Sequence, residues 1–245
     1  MKVAFLGATR GMGRALARLL AERGDALFLL GRDPSELEKS AADLQARGAT
    51  APVGHAPCDL LSPGGFDAAL DAADAALGGV DTVVVTAGLF DTQEALEGDR
   101  SQLEALLRAN FANTVLFCEA VRTRLLARGG GTLCVFSSVA GERGRTPVVL
   151  YGASKAGLSH YLEGLDHRYR KDGLVTVTVK PGFVHTDMTE GLDAPPFAGE
   201  PEAVARTVLR GLDRGTPVVY APPVWRWIMA VIRRLPRAVM RRVGF

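Results

Sequence analysis

Val3-Ala4-Phe5-Leu6-Gly7-Ala8-Thr9-Arg10-Gly11-Met12-Gly13-Arg14-Ala15-Leu16 is the stretch on which the architecture turns. Four apolar residues suit a buried strand, and the Ala/Leu/Arg run that follows suits a helix. Between them lie three glycines spaced Gly-x-x-x-Gly-x-Gly. Such a turn lets the backbone bend sharply and approach a pyrophosphate, whose charge is attracted by the free N–H groups and positive end of the helix. Gly7, Thr9, Arg10, Gly11, Met12 and Gly13 are therefore candidate phosphate-contacting residues. Strand before and helix after is the context that separates a dinucleotide site from an ordinary connection.

The same alternation continues along the chain. Apolar runs at 3–7, 26–30, 50–55, 82–86, 132–136, 175–180 and 218–220 read as strands. Segments 13–23, 35–47, 66–77, 101–128, 151–171 and 201–214 read as helices. This pattern predicts an α/β fold: a doubly wound, seven-stranded parallel sheet of Rossmann type with helices on both faces. Residues 1–223 are expected to form one domain. Within it, 187–200, with Gly191, Pro195, Pro196 and Gly199, reads as a long loop able to cover a site. Residues 224–245 form a separate tail.

The 245 residues are 47% hydrophobic and 23% charged with a net charge of +2, which fits a globular protein and excludes global disorder. Nothing in these totals points to nucleic acid. Of 29 basic residues, seven arginines lie in 214–245 with no acid beside them, so positions 1–213 carry 22 basic against 27 acidic residues, a net −5. Cys58, Cys118 and Cys134 have an odd count and no metal-ligand spacing, so neither a disulfide framework nor a metal site is indicated. His55, His160, His167 and His185 share no spacing and are assigned to surface or packing roles. No run reaches the roughly 20 apolar residues of a spanning helix, and the N-terminus meets Arg10 too soon for a signal-peptide core. A cytoplasmic location is expected, with any membrane contact peripheral, on the inner face.

The end of the second strand selects the dinucleotide. An acid there would bond the ribose 2′-hydroxyl of NAD(H), whereas a base would accept the 2′-phosphate of NADP(H). The chain reads Leu30-Gly31-Arg32-Asp33. Arg32 offers a planar guanidinium suited to phosphate, Arg10 is a second cation, and Asp33 can serve as the cap of a helix starting near Pro34. NADP(H) is preferred over NAD(H).

Tyr151-Gly152-Ala153-Ser154-Lys155 places a phenol and an ammonium at i and i+4, on one helix face. The cation is expected to favour the phenolate and lower the tyrosine pKa, as acid–base work near neutrality requires. Ser138, after an apolar strand, can donate a hydrogen bond to a carbonyl oxygen in the same site; Ser137 is its rival.

Taken in order, Gly7-x-x-x-Gly11-x-Gly13, Cys58-Asp59-Leu60, Thr86-Ala87-Gly88, Asn110, Ser137-Ser138, Tyr151-x-x-x-Lys155 and Pro181-Gly182-x-Val184-x-Thr186 resemble the short-chain dehydrogenase/reductase family, from residue 2 to about 187. The resemblance implies four catalytic residues. Tyr151 would protonate the substrate oxygen and Ser138 orient it. Lys155 would hold the nicotinamide ribose and tune Tyr151, and Asn110 would organise a proton-relay water through a local break in its helix. It also implies cofactor contacts: Asp59, with Leu60, near the adenine, Ala87 and Gly88 on the adenosine side, and Val184 and Thr186, with Pro181 and Gly182, at the carboxamide. The family's Asn before Ala-Gly is Thr86 here, which implies a less rigid central strand. Family members commonly form homodimers or homotetramers on the helices at 101–128 and 151–171.

In 224–243, Trp225, Ile228, Ile232, Leu235 and Val239 recur at three and four while Arg226, Arg233, Arg237 and Arg241 gather elsewhere, with a bend expected at Pro236. Two readings stand side by side: a helix lying in a membrane interface, or one packing on the protein. A narrower resemblance, in Ser137-Ser138-Val139-Ala140-Gly141-Glu142-Arg143 and Tyr220-Ala221-Pro222, is to reductases of a 2-keto sugar carried on a polyprenyl phosphate. The function expected is NADPH-dependent reduction of a ketone to a secondary alcohol, on a small-molecule or lipid-linked carbonyl. The alternatives are a reductase of small soluble ketones or 3-oxoacyl thioesters, and a non-catalytic NADP-binding sensor or scaffold.

Overall fold

Val3 and Phe5 belong to one core and Ala4 and Leu6 to another, and all four are buried, because successive side chains of a strand point to opposite faces. A strand covered on both sides is what a parallel sheet between two helical layers requires. The computed structural model describes residues 1–242. Its strands are β1 (Lys2–Leu6), β2 (Ala26–Gly31), β3 (Gly54–Pro57), β4 (Thr82–Val85), β5 (Gly131–Phe136), β6 (Leu174–Pro181) and β7 (Val218–Ala221). They form one all-parallel, seven-stranded sheet in the order β3-β2-β1-β4-β5-β6-β7.

The helices are α1 (Gly11–Glu22), α2 (Pro34–Ala46), α3 (Phe66–Leu77), α4 (Gln93–Gly98), α5 (Arg100–Leu107), α6 (Asn113–Ala127), α7 (Val149–Tyr169), α8 (Pro201–Asp213), α9 (Trp225–Ile232) and α10 (Arg237–Met240). Leu16 and Leu20 of α1, Leu37 and Leu44 of α2 and Val204 and Val208 of α8 fill one core. Phe66 and Leu70 of α3, Phe117 and Val121 of α6 and Leu158 and Leu162 of α7 fill the other. The chain order reverses between β1 and β4, so the crevice beyond their carboxyl ends is where such sheets bind ligands.

Four expectations need correction. The third strand is Gly54–Pro57, not 50–55, because the Gln45 side chain captures the approach to it, donating to the Ala49 carbonyl at 3.0 Å and accepting the Val53 N–H at 3.3 Å. The helix expected at 101–128 is interrupted by a π turn at Arg108–Ala112, where the Thr114 hydroxyl donates to the Ala109 carbonyl at 2.6 Å. Residues 93–98, unassigned from sequence, form α4, capped by Thr92 Oγ1, which accepts the Ala95 N–H at 3.2 Å. The tail helix ends at Ile232, ahead of Pro236, which precedes a second short helix. Residues 243–245, the end of that tail, lie outside the described residues. All four histidines are exposed, and the three cysteines are buried and unpaired.

Of the two readings of the tail, packing holds for one face of α9. Trp225, Met229 and Ile232 are buried with Val139, the residue after Ser138, against Tyr220. The expected apolar face is thus turned inward, while Trp227 stays 71% exposed. Trp225→Ala should lower unfolding free energy by about 3–5 kcal/mol, as truncation of a buried aromatic does, whereas Trp227→Ala should change it by less than about 0.5 kcal/mol. Urea denaturation of the two variants checks the contrast.

Candidate active site

The phosphate turn is built by contact between the ends of β1 and β4. A Cβ on Gly13 would lie 2.1 Å from the Gly7 carbonyl oxygen, so the first turn of α1 can approach the strand end only without a side chain there. Gly7 itself has φ +98°, a conformation that L side chains rarely adopt. Thr86 completes the contact: its hydroxyl donates to the Gly7 carbonyl at 2.8 Å. The residue that departs from the family pattern therefore ties the central strand to the turn. Arg10 caps α1 in extended conformation without a side-chain acceptor, and the first turn holds no acid. An anion is the partner those N–H groups suit.

A cleft of about 430 Å³ opens over this turn. Of the expected cofactor residues, Gly7, Thr9, Arg10, Gly11, Met12, Gly13, Arg32, Asp59, Leu60, Ala87, Gly88 and Thr186 all line it. Asp187 and Met188 line it too, so the start of the 187–200 loop covers the cleft. Arg32 is exposed, with no ion pair among the described residues, and Arg10 reaches Glu36 only at 3.9 Å. Asp33 is committed elsewhere, its Oδ1 accepting the N–H groups of Ser35 at 3.0 Å and Glu36 at 3.2 Å as the cap of α2. The donors, the cations and the shape fit a dinucleotide.

Asn110, Ser138, Tyr151 and Lys155 lie beside the cleft and do not line it. The two regions meet at Gly88: a Cβ there would be 3.0 Å from Asn110 Oδ1 and 3.5 Å from Lys155 Nζ. Asn110 sits in the π turn and is paired at both ends of its amide, donating to the Leu89 carbonyl and accepting the Leu89 N–H, each at 2.7 Å. Lys155 is buried and donates to the Phe136 carbonyl at 3.1 Å, with Nζ 5.8 Å from the Tyr151 ring centre. Ser137 Oγ donates to the Lys155 carbonyl at 3.0 Å and lies 2.7 Å from Ser159 Oγ, so its hydroxyl is spent on holding α7. Ser138 Oγ accepts the Ala140 N–H at 3.1 Å and also reaches Tyr151. This separates the two serines.

The expected lowering of the tyrosine pKa is not found. Burial pushes the Tyr151 phenol up to about 12, opposed only in part by its hydrogen bond with Ser138. Burial also pulls the Lys155 ammonium down to about 8. Here desolvation outweighs the attraction of the neighbouring cation.

Pro181, Gly182 and Val184 lie away from the cleft wall. The Val184 side chain is turned into the core, and the Trp225 indole occupies the space that a Cβ on Gly182 would need, 2.0 Å from it. Several contacts gave no sequence signal. Phe90 meets Tyr151 edge to face at 5.0 Å. Asn113 donates to the Leu60 carbonyl at 2.6 Å; its place three residues after Asn110, on the same helix face, is a hint available in retrospect. Buried Glu142 Oε1 accepts from Lys180 at 2.8 Å and Tyr220 at 2.6 Å, joining the Ser138 turn to β6 and β7.

A doubly wound sheet with a phosphate turn at its switch point and a Ser, a Tyr and a Lys alongside defines a dinucleotide-dependent oxidoreductase. The family model described as short chain dehydrogenase matches residues 2–196. An uncharacterised oxidoreductase of Streptomyces coelicolor is 37% identical over 242 residues, 97% of this chain and 94% of that one. The chain belongs to the short-chain dehydrogenase/reductase family. It is 29% identical over 214 residues to carbonyl reductase family member 4 of Xenopus tropicalis, covering 84% of this chain and 88% of that one. A short-chain dehydrogenase from Sphingobium yanoikuyae, solved in complex with NADPH, shares the fold with a TM-score of 0.81 over 96% of each chain at 24% identity.

A buried ammonium whose folded pKa lies below its unfolded one opposes folding at low pH. The opposition is full below about 8 and is relieved as pH rises toward 10.5. Lys155→Met should therefore stabilise the cofactor-free protein at pH 7 by on the order of 2–3 kcal/mol, with the gap from wild type narrowing by pH 10. Denaturant titrations at the two pH values read it directly.

Proposed function

We propose that this protein is an NADPH-dependent reductase that converts a ketone to a secondary alcohol. The observation that carries the reading is the convergence of Ser138, Tyr151 and Lys155 on the edge of a cleft whose only lining cations among the described residues are Arg10 and Arg32, which suit a 2′-phosphate. When bound, the reduced nicotinamide supplies hydride to the carbonyl carbon. The chain's own residues do the rest.

With its pKa near 12, Tyr151 is protonated at neutral pH and is the acid that gives its proton to the substrate oxygen. Ser138 holds that oxygen, its hydroxyl oriented by the Ala140 N–H. Lys155, anchored on the Phe136 carbonyl, keeps its remaining N–H donors for the ribose hydroxyls. Asn110 fixes the Leu89 main chain beside Gly88, and its place in the π turn supports the relay role that the family resemblance implies.

Arg32 supports NADP(H) over NAD(H), since Asp33 is held by α2 and no acid replaces it at the end of β2. Exposed Leu107, Phe111, Leu116 and Val149 on α5, the π turn, α6 and α7 suit a homodimer or homotetramer built on those helices. Three buried, unpaired cysteines suit a reducing, cytoplasmic setting.

Tyr151→Phe should abolish carbonyl-dependent NADPH oxidation with the dissociation constant for NADPH changed less than about threefold; retained turnover overturns the assignment. In equilibrium binding, Arg32→Ala should weaken NADPH by on the order of tenfold or more, as loss of a charge-assisted bond does, and leave NADH unchanged. Equal losses for both would remove Arg32 from the 2′-phosphate site.

A further inference from the structure

Opposite the buried face of α9 lies a second face that no other part of the described structure covers. Trp227 is 71% exposed and Val231, one turn on, 63% exposed. The Arg226 guanidinium lies 5.8 Å from the Trp227 ring centre, and exposed Arg234 follows in the turn after the helix. Arg237, Arg241 and the 39% exposed Val239 follow. From 214 to 245 there is no acid. Arg226, Arg234, Arg237 and Arg241 have no ion pair among the described residues, and Arg233 approaches only Glu142, at 3.7 Å, a carboxylate already held by Lys180 and Tyr220.

We propose that this outer face of α9, with the turn and helix after it, docks the protein on an anionic lipid bilayer. Exposed tryptophan and valine among unpaired arginines match the interface of such a bilayer, where aromatic rings sit at headgroup level and cations are drawn to the surface. A second copy of the chain is the poorer occupant. A twofold contact sets each patch against itself, and these patches carry cations of one sign with nothing between them. The rest of the molecule, at net −5, is repelled by the same surface, so binding is confined to this face and orients the protein.

The orientation matters because the inner face of the same helix packs on the turn that carries Ser138. Trp225 abuts Gly182 and packs with Val139, next to Ser138, while Gly199 at the end of the 187–200 loop lies against Pro222, just ahead of α9. Docking thus sets the Ser138 turn about one helix diameter, roughly 10 Å, from the lipid surface. This extends the reductase reading, on which its substrate depends: the carbonyl would be carried on a lipid anchor. The docking itself stands on the surface alone.

The test is flotation of the full-length protein with vesicles of phosphatidylcholine alone and of phosphatidylcholine mixed with phosphatidylglycerol. A tail truncation is unsuitable, since it would uncover Val139 and Gly182. Wild type should float with the anionic vesicles, less at high salt, and not with neutral ones. Trp227→Ser with Val231→Ser should lose binding, and Arg234→Gln, Arg237→Gln and Arg241→Gln together should weaken it by on the order of a hundredfold. All are surface changes, so melting temperature and turnover of a water-soluble ketone should match wild type. Failure of wild type to float, equal binding to neutral vesicles, or a Trp227→Ser/Val231→Ser protein that turns from oligomer to monomer would each overturn the proposal. Flotation without reduction of any carbonyl would sink the reductase reading and leave the docking standing.

Discussion

Everything at this site depends on how closely two strand ends approach. The turn after β1 lies against the start of the Thr86-Ala87-Gly88 segment so tightly that a Cβ on Gly7 would sit 2.5 Å from the Ala87 nitrogen. The Thr86 hydroxyl closes the contact by donating to the Gly7 carbonyl at 2.8 Å. This sets the height of α1 above the sheet and hence where its N–H groups can meet an anion. It also places Gly88, through which the phosphate half of the cleft meets Asn110 and Lys155. A weaker contact between β1 and β4 would blur the phosphate site and the proton-transfer site together.

The two halves differ in solvent. The phosphate half is wet and open, and its cations Arg10 and Arg32 are exposed, so they can bind and release a charged group without a large desolvation penalty. In the other half Ser138 and Lys155 are buried and Tyr151 is half-buried. There burial holds the Tyr151 phenol neutral and weakens the Lys155 charge, and hydrogen bonds to main-chain groups, such as those of Asn110 to Leu89 and Lys155 to Phe136, take over the positioning that water would disturb. Such a division suits the proposed reductase, in which the cofactor would exchange from the open side and the proton would move on the buried one.

Much of this was legible in the sequence because it depends on local pattern. Period-two burial in β1 and the Gly7-to-Gly13 spacing follow from backbone geometry alone, and the seven-stranded parallel sheet followed from the alternation of short apolar runs with longer helical ones. What stayed hidden depends on tertiary context. The tyrosine pKa was misjudged because i, i+4 spacing reveals the neighbouring ammonium but not the depth at which both are buried. The π turn at Arg108–Ala112 is held by Thr114 within an otherwise ordinary helical pattern. In α9 the period of apolar residues was correct, but periodicity cannot say whether protein or lipid lies against a face, and Trp227 falls outside the stripe that the pattern selects.

The indole of Trp225 fills the space beside Gly182 that a methyl group would need. Two positions more than forty residues apart in the chain are thereby tied as a pair. A larger residue at 182 can be accommodated only with a smaller one at 225, so in any lineage or design campaign that changes either position the two should change together. The end of β6 and the seating of the C-terminal helix are then inherited as one trait, and a library that varies residue 182 while leaving residue 225 untouched will meet a wall of misfolded variants.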